Sequence, residues 1–167
     1  MKFEKIDICD VNDSFVHLIR DDWALLTPGE KRNYNTMTVS WGMLGELWGK
    51  DVVTVFVRPQ RYTYEFMEKY DNFTLSFFGS EYRRALSFCG SKSGRDFDKA
   101  EKCGLTAFET GESVAFEEAK LIIACRKTAF ADMDPSKFIA PEIEDNYSNG
   151  DYHRAYIGEI TGVFKKI

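Results

Sequence analysis

The strongest constraint on the fold is a series of short apolar runs, rich in β-branched and aromatic residues, with only short turns between most of them. Such runs predict strands, and they lack the regular strand–helix alternation that indicates a doubly wound parallel sheet. The pattern favours a mainly β protein, an antiparallel Greek-key barrel with a few short helices. The predicted strands are residues 23–27, 34–41, 52–58, 73–78, 114–116, 120–130 and 153–164.

Three short helices are predicted between these strands. Thr63 would cap the first, over residues 64–70, and residues 81–88 would form the second. The third would span residues 96–102 and stop at Gly104, because glycine readily takes the left-handed conformation that ends a helix.

Turns and loops complete the predicted order of elements. Residues 28–31 indicate a tight turn that joins the first two strands into a hairpin. Residues 42–49 carry three glycines in eight positions and are predicted as a loop, although they are apolar. Residues 132–149 form a polar loop with two prolines, and Gly158 and Gly162 predict bends or bulges in the last strand. No Gly-x-Gly-x-x-Gly or Walker-type loop is present, so a Rossmann or P-loop site is not supported.

Length and composition indicate one globular domain over residues 1–167. The chain is 44% hydrophobic and 29% charged, which argues against disorder. Aromatic residues make up 15%. This surplus is typical of a thick β core, and the alternative is that some of the rings line a flat, aromatic ligand.

Charge and cysteine usage limit the class of protein. The net charge is −5 and no run or stripe of basic residues occurs, so a nucleic-acid binder is not expected. The four cysteines have no CxxC spacing, the N-terminal residues lack the apolar region of a signal peptide, and no apolar run would cross a bilayer. We therefore expect a cytoplasmic protein with reduced cysteines, no membrane contact and no structural metal.

The segment from Val57 to Thr63 is the strongest candidate for a binding site. Arg58 and Arg61 lie on either side of Pro59, between the end of a predicted strand and the start of a predicted helix. A helix N-terminus offers free backbone N–H groups and the positive end of the helix dipole, and guanidinium groups add charge-assisted hydrogen bonds. This combination suits a phosphate. The alternative is a surface turn with solvated arginines.

Two further segments are candidates for ligand contacts. In a strand, Thr36, Thr38 and Ser40 would share one face, and Met37, Val39 and Trp41 would share the other. This edge would offer hydroxyl and backbone groups to a heterocycle, with the indole covering one face of the ring. The polar loop from Ser91 to Asp96 would wrap a phosphate or a polar chain. The alternatives are a half-exposed strand and an ordinary helix-capping loop.

No residue pattern indicates a protein nucleophile. His153 stands alone, and a single histidine near a strand start is most often structural. Cys89 and Cys103 are expected to be buried or idle thiols. A phosphate site and many aromatic residues without a nucleophile suit a cofactor that carries the chemistry itself.

The order of these motifs resembles the flavin reductase-like family, in particular the flavoredoxin-type members with an FMN-binding split barrel. The resemblance runs from about Trp23 to the C-terminus. It rests on residues 35–41, 58–63, 73–78, 91–96 and 153–160.

The resemblance implies a β-barrel homodimer that binds FMN non-covalently near the subunit interface. The isoalloxazine ring and ribityl chain would lie against Asn35, Met37, Thr38, Val39, Ser40 and Trp41. The phosphate side would be held by Arg58, Arg61, Tyr62 and Thr63, and the loop that closes over the cofactor would supply Ser91, Lys92, Ser93, Arg95 and Asp96. His153 would lie near the open face, where some relatives receive a nicotinamide.

The function that the resemblance implies is an FMN-dependent oxidoreductase. Electrons would come from NAD(P)H or a protein donor and pass to free flavin, a metal complex or a partner protein. One alternative is an electron-carrier module without NAD(P)H turnover of its own. A weaker alternative is a split barrel that binds another phosphorylated or planar ligand, such as pyridoxal phosphate or haem.

Overall fold

The computed structural model describes residues 3–111 and 113–167, and nine strands within these ranges build one large antiparallel sheet. Its strands are β1 Phe3–Ile6, β2 Ala24–Glu30, β3 Asn33–Tyr34, β4 Met37–Val39, β5 Gly42–Leu47, β6 Lys50–Val57, β7 Asn72–Phe77, β10 Leu121–Asp132 and β11 Arg154–Lys166. A separate two-stranded sheet pairs β8 Ala107–Glu109 with β9 Val114–Phe116. The prediction of a mainly β, antiparallel fold is confirmed.

The large sheet closes on itself through a strand that is split in two. The strand order is β3-β2-β7-β10-β11-β6-β5, with β1 added to β11 and β4 added to β2. β4 and β5 follow each other in the chain with only Ser40 and Trp41 between them. Since β4 pairs with β2 and β5 pairs with β6, residues 37–47 connect the two ends of the sheet. The break at Ser40 and Trp41 opens a gap in the barrel wall.

β2 and the first half of β10 are buried on both faces. Along β2, Ala24 and Leu26 belong to the cluster inside the barrel, while Leu25 belongs to a second cluster outside it. Along β10, Ile123 lies inside and Ile122 outside. Because side chains alternate across a strand, a second layer must cover the outer face, and α3, α4 and β9 supply it.

Gly158 in β11 is required by close packing. A Cβ atom at this position would lie 2.6 Å from Cζ of Phe73 and 2.9 Å from Cβ of Cys125. The register between β10 and β11 shifts at two points, one beside Gly158 and one beside Gly162. The predicted irregularities at these glycines are confirmed.

The helices are short, as expected. They are α1 Phe15–His17, which continues as a π-helix over Leu18–Asp22, α2 Tyr62–Lys69, α3 Arg83–Ser91 and α4 Lys99–Cys103. α4 begins later than predicted because the Asp98 side chain accepts a hydrogen bond from the backbone N–H of Glu101 and caps the helix there. Gly104 ends it in the left-handed conformation, as predicted. No helix in the described ranges is long and apolar enough to cross a membrane.

One of the predicted connections is wrong, and another lies slightly further along the chain than predicted. The predicted loop at residues 42–49 is instead strand β5 and its turn, because the backbone of β5 pairs with β6 along its whole length. Trp48 and Gly49 form the turn, with φ angles of 58° and 70°. The predicted hairpin is confirmed, since β2 pairs with β3 and β4, but its turn lies at Lys31 and Arg32, because β2 runs on to Glu30.

The other differences are smaller. The strand predicted at 34–41 is divided into β3 and β4. The loop predicted at 132–149 contains two 3₁₀ turns, Pro135–Lys137 and Pro141–Asn146. This loop returns to the barrel at Asp151 and His153, where it meets the gap between β4 and β5.

Candidate functional site

A cavity of about 450 Å³ opens at the gap in the barrel wall. β4 and the residues after it form one side, and the end of β6 with the turn that follows forms another. Asp151 and His153, which precede β11 in the chain, form the third side. The lining residues of this larger cavity are Met37, Thr38, Val39, Ser40, Trp41, Phe56, Arg58, Gln60, Arg61, Asp151 and His153.

A smaller cavity of about 150 Å³ adjoins the larger one. It lies at the start of α2, below the loop that links α3 to α4. Its lining residues are Asn35, Met37, Gln60, Arg61, Tyr62, Thr63, Ser91, Lys92, Ser93, Gly94 and Lys99. Met37, Gln60 and Arg61 line both cavities, so the two form one groove.

The smaller cavity contains two cations, of which Lys99 is buried and Arg61 is half-buried. Lys99 is 5% exposed, and its Nζ donates hydrogen bonds to the carbonyl oxygens of Cys89 at 3.0 Å and Lys92 at 3.2 Å. A guanidinium nitrogen of Arg61 donates to the carbonyl oxygen of Gly90. Within the described ranges, neither cation has a carboxylate partner.

The pKa values of both cations reflect this lack of compensation. The pKa of Lys99 is lowered to about 8, mainly by burial, with repulsion from Arg61 adding to the effect and the Cys89 thiol opposing it. Burial and the charge of Arg58 lower the pKa of Arg61. Since buried charges are normally paired, two cations that meet only backbone oxygens favour an anion in this cavity.

Asn35, Thr63 and Gly94 hold the wall of the smaller cavity together. Asn35 Nδ2 donates a hydrogen bond of 2.7 Å to Oγ1 of Thr63, and both side chains are buried. α2 starts at Tyr62 with Arg61 at its N-cap, so the prediction that Thr63 caps this helix is wrong. Gly94 packs so closely that a Cβ atom there would lie 1.9 Å from Oδ1 of Asn35.

Arg58 lines only the larger cavity, where its charge is compensated. Its Nη1 donates to Oδ2 of Asp151 at 2.6 Å, and its Nη2 donates to the carbonyl oxygen of Asn146 at 2.9 Å. The guanidinium also lies over the ring of Tyr147, 5.2 Å from the centroid. Arg58 therefore fixes the loop before β11 against the end of β6.

Asp151 presents a free acceptor in the same cavity. Arg58 and Gln60 both donate to its Oδ2, and these bonds lower the pKa of the carboxyl group. Its Oδ1 is buried and has no hydrogen-bond partner in the part of the chain that the structure describes. A buried acceptor without a partner is costly, so this oxygen suits a ligand N–H or O–H group.

His153 lies between aromatic rings and is electrically neutral. It is 8% exposed, and its Nδ1 shares a hydrogen bond of 2.9 Å with the hydroxyl group of Tyr147. The Trp41 ring lies 5.1 Å from it, centroid to centroid. The pKa of His153 is lowered to about 4, mainly by burial, with the charge of Arg58 adding to the effect and the carboxylate of Asp151 opposing it.

A family model for the flavin reductase like domain matches residues 21–165. The chain belongs to the flavin reductase-like family. No curated protein matches the sequence.

Solved structures of this family share the fold. The FMN-binding domain of a flavin reductase-like enzyme from Shewanella baltica has a TM-score of 0.71 and 16% identity, over 99% of this chain and 78% of that one. Flavoredoxin from Methanosarcina acetivorans has a TM-score of 0.70 and 21% identity, over 98% and 76%. The FMN-binding protein from Thermus thermophilus has a TM-score of 0.67 and 19% identity, over 91% and 74%. At these identities the likeness establishes the fold alone.

Most of the site residues predicted from the family resemblance line the groove. The larger cavity contains Met37, Thr38, Val39, Ser40, Trp41, Arg58, Arg61 and His153, and the smaller one contains Asn35, Met37, Arg61, Tyr62, Thr63, Ser91, Lys92 and Ser93. Arg95 and Asp96 line neither. Arg95 instead forms an ion pair with Glu65 and lies over the Tyr62 ring, 4.6 Å from the centroid.

Lys99 and Asp151 line the groove and were missed by sequence reasoning. Lys99 belongs to the helix predicted over residues 96–102, and nothing local marks its ammonium group as buried. Asp151 adjoins His153, and that proximity is the only local signal that could have pointed to it.

Proposed function

We propose that this chain binds FMN non-covalently in the groove and serves as an oxidoreductase. The observation that carries the proposal is the pair of cations Lys99, which is buried, and Arg61, which is half-buried, without a carboxylate partner in the described ranges. A dianionic phosphate in the smaller cavity would neutralise both. The rim formed by Ser91, Lys92 and Ser93 places two hydroxyl groups and an ammonium group around the same cavity.

The larger cavity suits the flavin ring. Met37 and Val39 give it an apolar wall, Trp41 covers its mouth, and the free Oδ1 of Asp151 can accept a hydrogen bond from a ring N–H. FMN, when bound, supplies hydride and electron transfer, chemistry that no side chain here provides. The protein contributes binding, orientation and exclusion of water.

His153 is the candidate for proton handling beside the ring. Its Nδ1 is occupied by the hydroxyl group of Tyr147, which leaves Nε2 for a ligand. At neutral pH the ring is uncharged, because its pKa is about 4. A neutral imidazole in this position can hold or transfer one proton at Nε2 without adding a charge to an already positive groove.

The electron donor is proposed to be NAD(P)H or a protein, and the acceptor a flavin, a metal complex or a protein. An electron-carrier module without NAD(P)H turnover is the second candidate. Trp41 favours it, because this ring is 45% exposed at the mouth of the larger cavity, where a partner protein could dock.

The cytoplasm is the proposed location, in agreement with four free cysteines.

A homodimer is also proposed, on the basis of the β5–β6 hairpin. Its exposed apolar side chains are Trp41, Met43, Leu44, Leu47 and Trp48. Met43 and Leu44 are adjacent in a strand and therefore point to opposite faces, so the hairpin exposes apolar surface on both sides. Such a ribbon suits association, and a second copy seated on it would border the groove next to Trp41.

The dimer is tested by sedimentation velocity on wild type and Leu47→Glu at micromolar concentrations. Wild type should sediment as a dimer and the variant as a monomer. Ile139→Glu is the matched control, since Ile139 is 99% exposed but lies outside the hairpin, and it should remain dimeric. A monomeric wild type would contradict the proposal.

The experiment that tests the function is a visible spectrum of the purified protein, followed by anaerobic addition of NADH or NADPH. A flavin spectrum that bleaches within seconds supports the reductase. A flavin spectrum that bleaches only with dithionite supports the carrier. A protein that is colourless and does not take up added FMN would overturn both.

A further inference from the structure

Two thiols lie close together beside the smaller cavity. Sγ of Cys89 on α3 and Sγ of Cys103 on α4 are 3.9 Å apart. A disulfide requires about 2.05 Å between the sulfurs, so an approach of about 2 Å would join them. α4 has only five residues and ends at Gly104, so a small displacement of this helix can provide that approach.

The two thiols differ in accessibility. Cys89 is buried, and burial raises its pKa to about 12. Cys103 is partly exposed at the end of α4. An oxidant from solvent therefore meets Cys103 first, and Cys89 is the thiol that would resolve the oxidised product.

Both cysteines are connected to the phosphate side of the groove. The carbonyl oxygen of Cys89 accepts the hydrogen bond from Lys99, which lies on α4 one helical turn before Cys103. The carbonyl oxygen of Gly90, next to Cys89, accepts the hydrogen bond from Arg61. Drawing α3 and α4 together would therefore displace the backbone that positions both cations.

On the basis of the proposed function, we propose that Cys89 and Cys103 form a peroxide-sensitive dithiol whose oxidation weakens binding of the FMN phosphate. The Cys103 sulfur attacks a hydroperoxide, an S–O bond forms, the O–O bond breaks, and the departing oxygen leaves protonated. The Cys89 sulfur then attacks the Cys103 sulfur, the S–S bond forms, the S–O bond breaks, and the thiol proton leaves with the hydroxyl group as water. The two thiols lose two electrons, which the peroxide gains.

The test compares full-length protein reduced with dithiothreitol with the same protein treated with hydrogen peroxide and then catalase. Intact mass and peptide mapping report the cross-link, and fluorescence titration gives the Kd of FMN and of riboflavin. Oxidation should raise the Kd of FMN roughly tenfold or more, the effect of displacing one charge-assisted contact. Riboflavin lacks the phosphate, so its Kd should stay within about twofold. Dithiothreitol should restore the FMN affinity.

Two variants serve as controls. Cys103→Ser should bind FMN with the same affinity before and after peroxide. Cys9→Ser removes an exposed thiol outside the pair and should respond as wild type does. The proposal is overturned if no Cys89–Cys103 link forms, if the linked protein keeps its FMN affinity, or if Cys103→Ser loses affinity equally. If reduced protein binds no FMN, the proposed function is wrong, and so is the proposed coupling of disulfide formation to FMN binding. The intact mass of the peroxide-treated protein still shows whether Cys89 and Cys103 are oxidised.

Discussion

Arg58 and Arg61 lie close together in the sequence, but Arg58 lines only the larger cavity, where its charge is paired, and Arg61 also lines the smaller cavity, where its charge is unpaired. Arg58, in the larger cavity, has its charge met by Asp151 and a backbone carbonyl. Arg61 extends into the smaller cavity, where it meets a carbonyl oxygen and a second cation, Lys99. The same residue type therefore positions a loop in one place and leaves positive charge available for a ligand in the other.

The contrast between paired and unpaired charges indicates that the smaller cavity lowers the stability of the fold in exchange for ligand affinity. A buried cation without a counter-charge costs folding free energy, and a lowered pKa is the measure of that cost. The pKa values of Arg61 and Lys99 are both lowered. The cost is recovered when an anion binds, so the smaller cavity should dominate affinity for the phosphate and the larger cavity should dominate recognition of the ring.

The strongest test of this division is Arg61→Met. We expect the Kd of FMN to rise roughly tenfold to a hundredfold, the worth of one charge-assisted hydrogen bond, while the Kd of riboflavin changes by less than about threefold. Fluorescence titration with both flavins measures it. Arg95→Met is the matched control, because this exposed arginine lines neither cavity, and it should bind both flavins as wild type does. An equal loss for riboflavin would show that Arg61 supports the whole groove.

If the FMN phosphate binds beside Lys99 as proposed, the FMN affinity should depend on pH. Its pKa of about 8 means that the free protein loses this charge as pH rises through 8. We expect the Kd of FMN to rise between pH 7 and 9 by up to about tenfold, since the phosphate is already dianionic there. Lys99→Met should bind FMN weakly and without this pH dependence. A wild-type profile as flat as that of the variant would remove Lys99 from the phosphate side.

The stability of the FMN-free protein should change in the opposite sense. The folded protein binds the Lys99 proton less tightly than the unfolded chain does, because the pKa falls from 10.5 to about 8. Between these two values the unfolded chain holds the proton and the folded protein does not, so the free energy of unfolding should rise with pH. Urea denaturation at pH 8 and pH 10 measures the rise, and Lys99→Met should reduce it.

Local sequence signals were sufficient for most of the fold. β-branched and aromatic runs predicted the barrel strands, because those residues suit a pleated, buried surface. The error at residues 42–49 has a physical reason. Three glycines indicate a loop locally, but pairing of β5 with β6 overrides that preference, and the exposed position of Gly45 leaves its missing side chain without packing cost.

The candidate site shows the same pattern: residues with a local sequence signal were predicted, and contacts between distant segments were not. Arg61 and the Ser91–Ser93 rim were predicted because they lie where one strand or helix ends and the next element begins. The partner of Arg58 could not be predicted, since Asp151 is 93 residues further along the chain. The burial of Lys99 likewise depends on how α4 packs against α3, which no local pattern encodes.

Gly94 tests whether the rim of the smaller cavity must pack closely. In Gly94→Ala the new Cβ would lie 1.9 Å from Oδ1 of Asn35, so the rim must move. We expect the Kd of FMN to rise about threefold to tenfold, with a loss of about 1–3 kcal/mol in stability. Gly45→Ala is the matched control, because nothing lies within 4 Å of its Cβ position. Calorimetry and titration measure both quantities, and unchanged binding by Gly94→Ala would mean that the rim adapts.

Arg58→Gln should have the smallest effect on FMN, a change in Kd within about threefold, because the charge of Arg58 is already met by Asp151. The change should instead appear at His153. Burial and Arg58 lower its pKa while Asp151 raises it, so removing the guanidinium should move that pKa from about 4 towards 6.5. The chain has only two histidines, so an NMR titration of the imidazole protons resolves His153 against His17 as an internal reference. If Arg58→Gln weakened FMN binding as much as Arg61→Met, both arginines would act on the phosphate, and the contrast between the two cavities would fail.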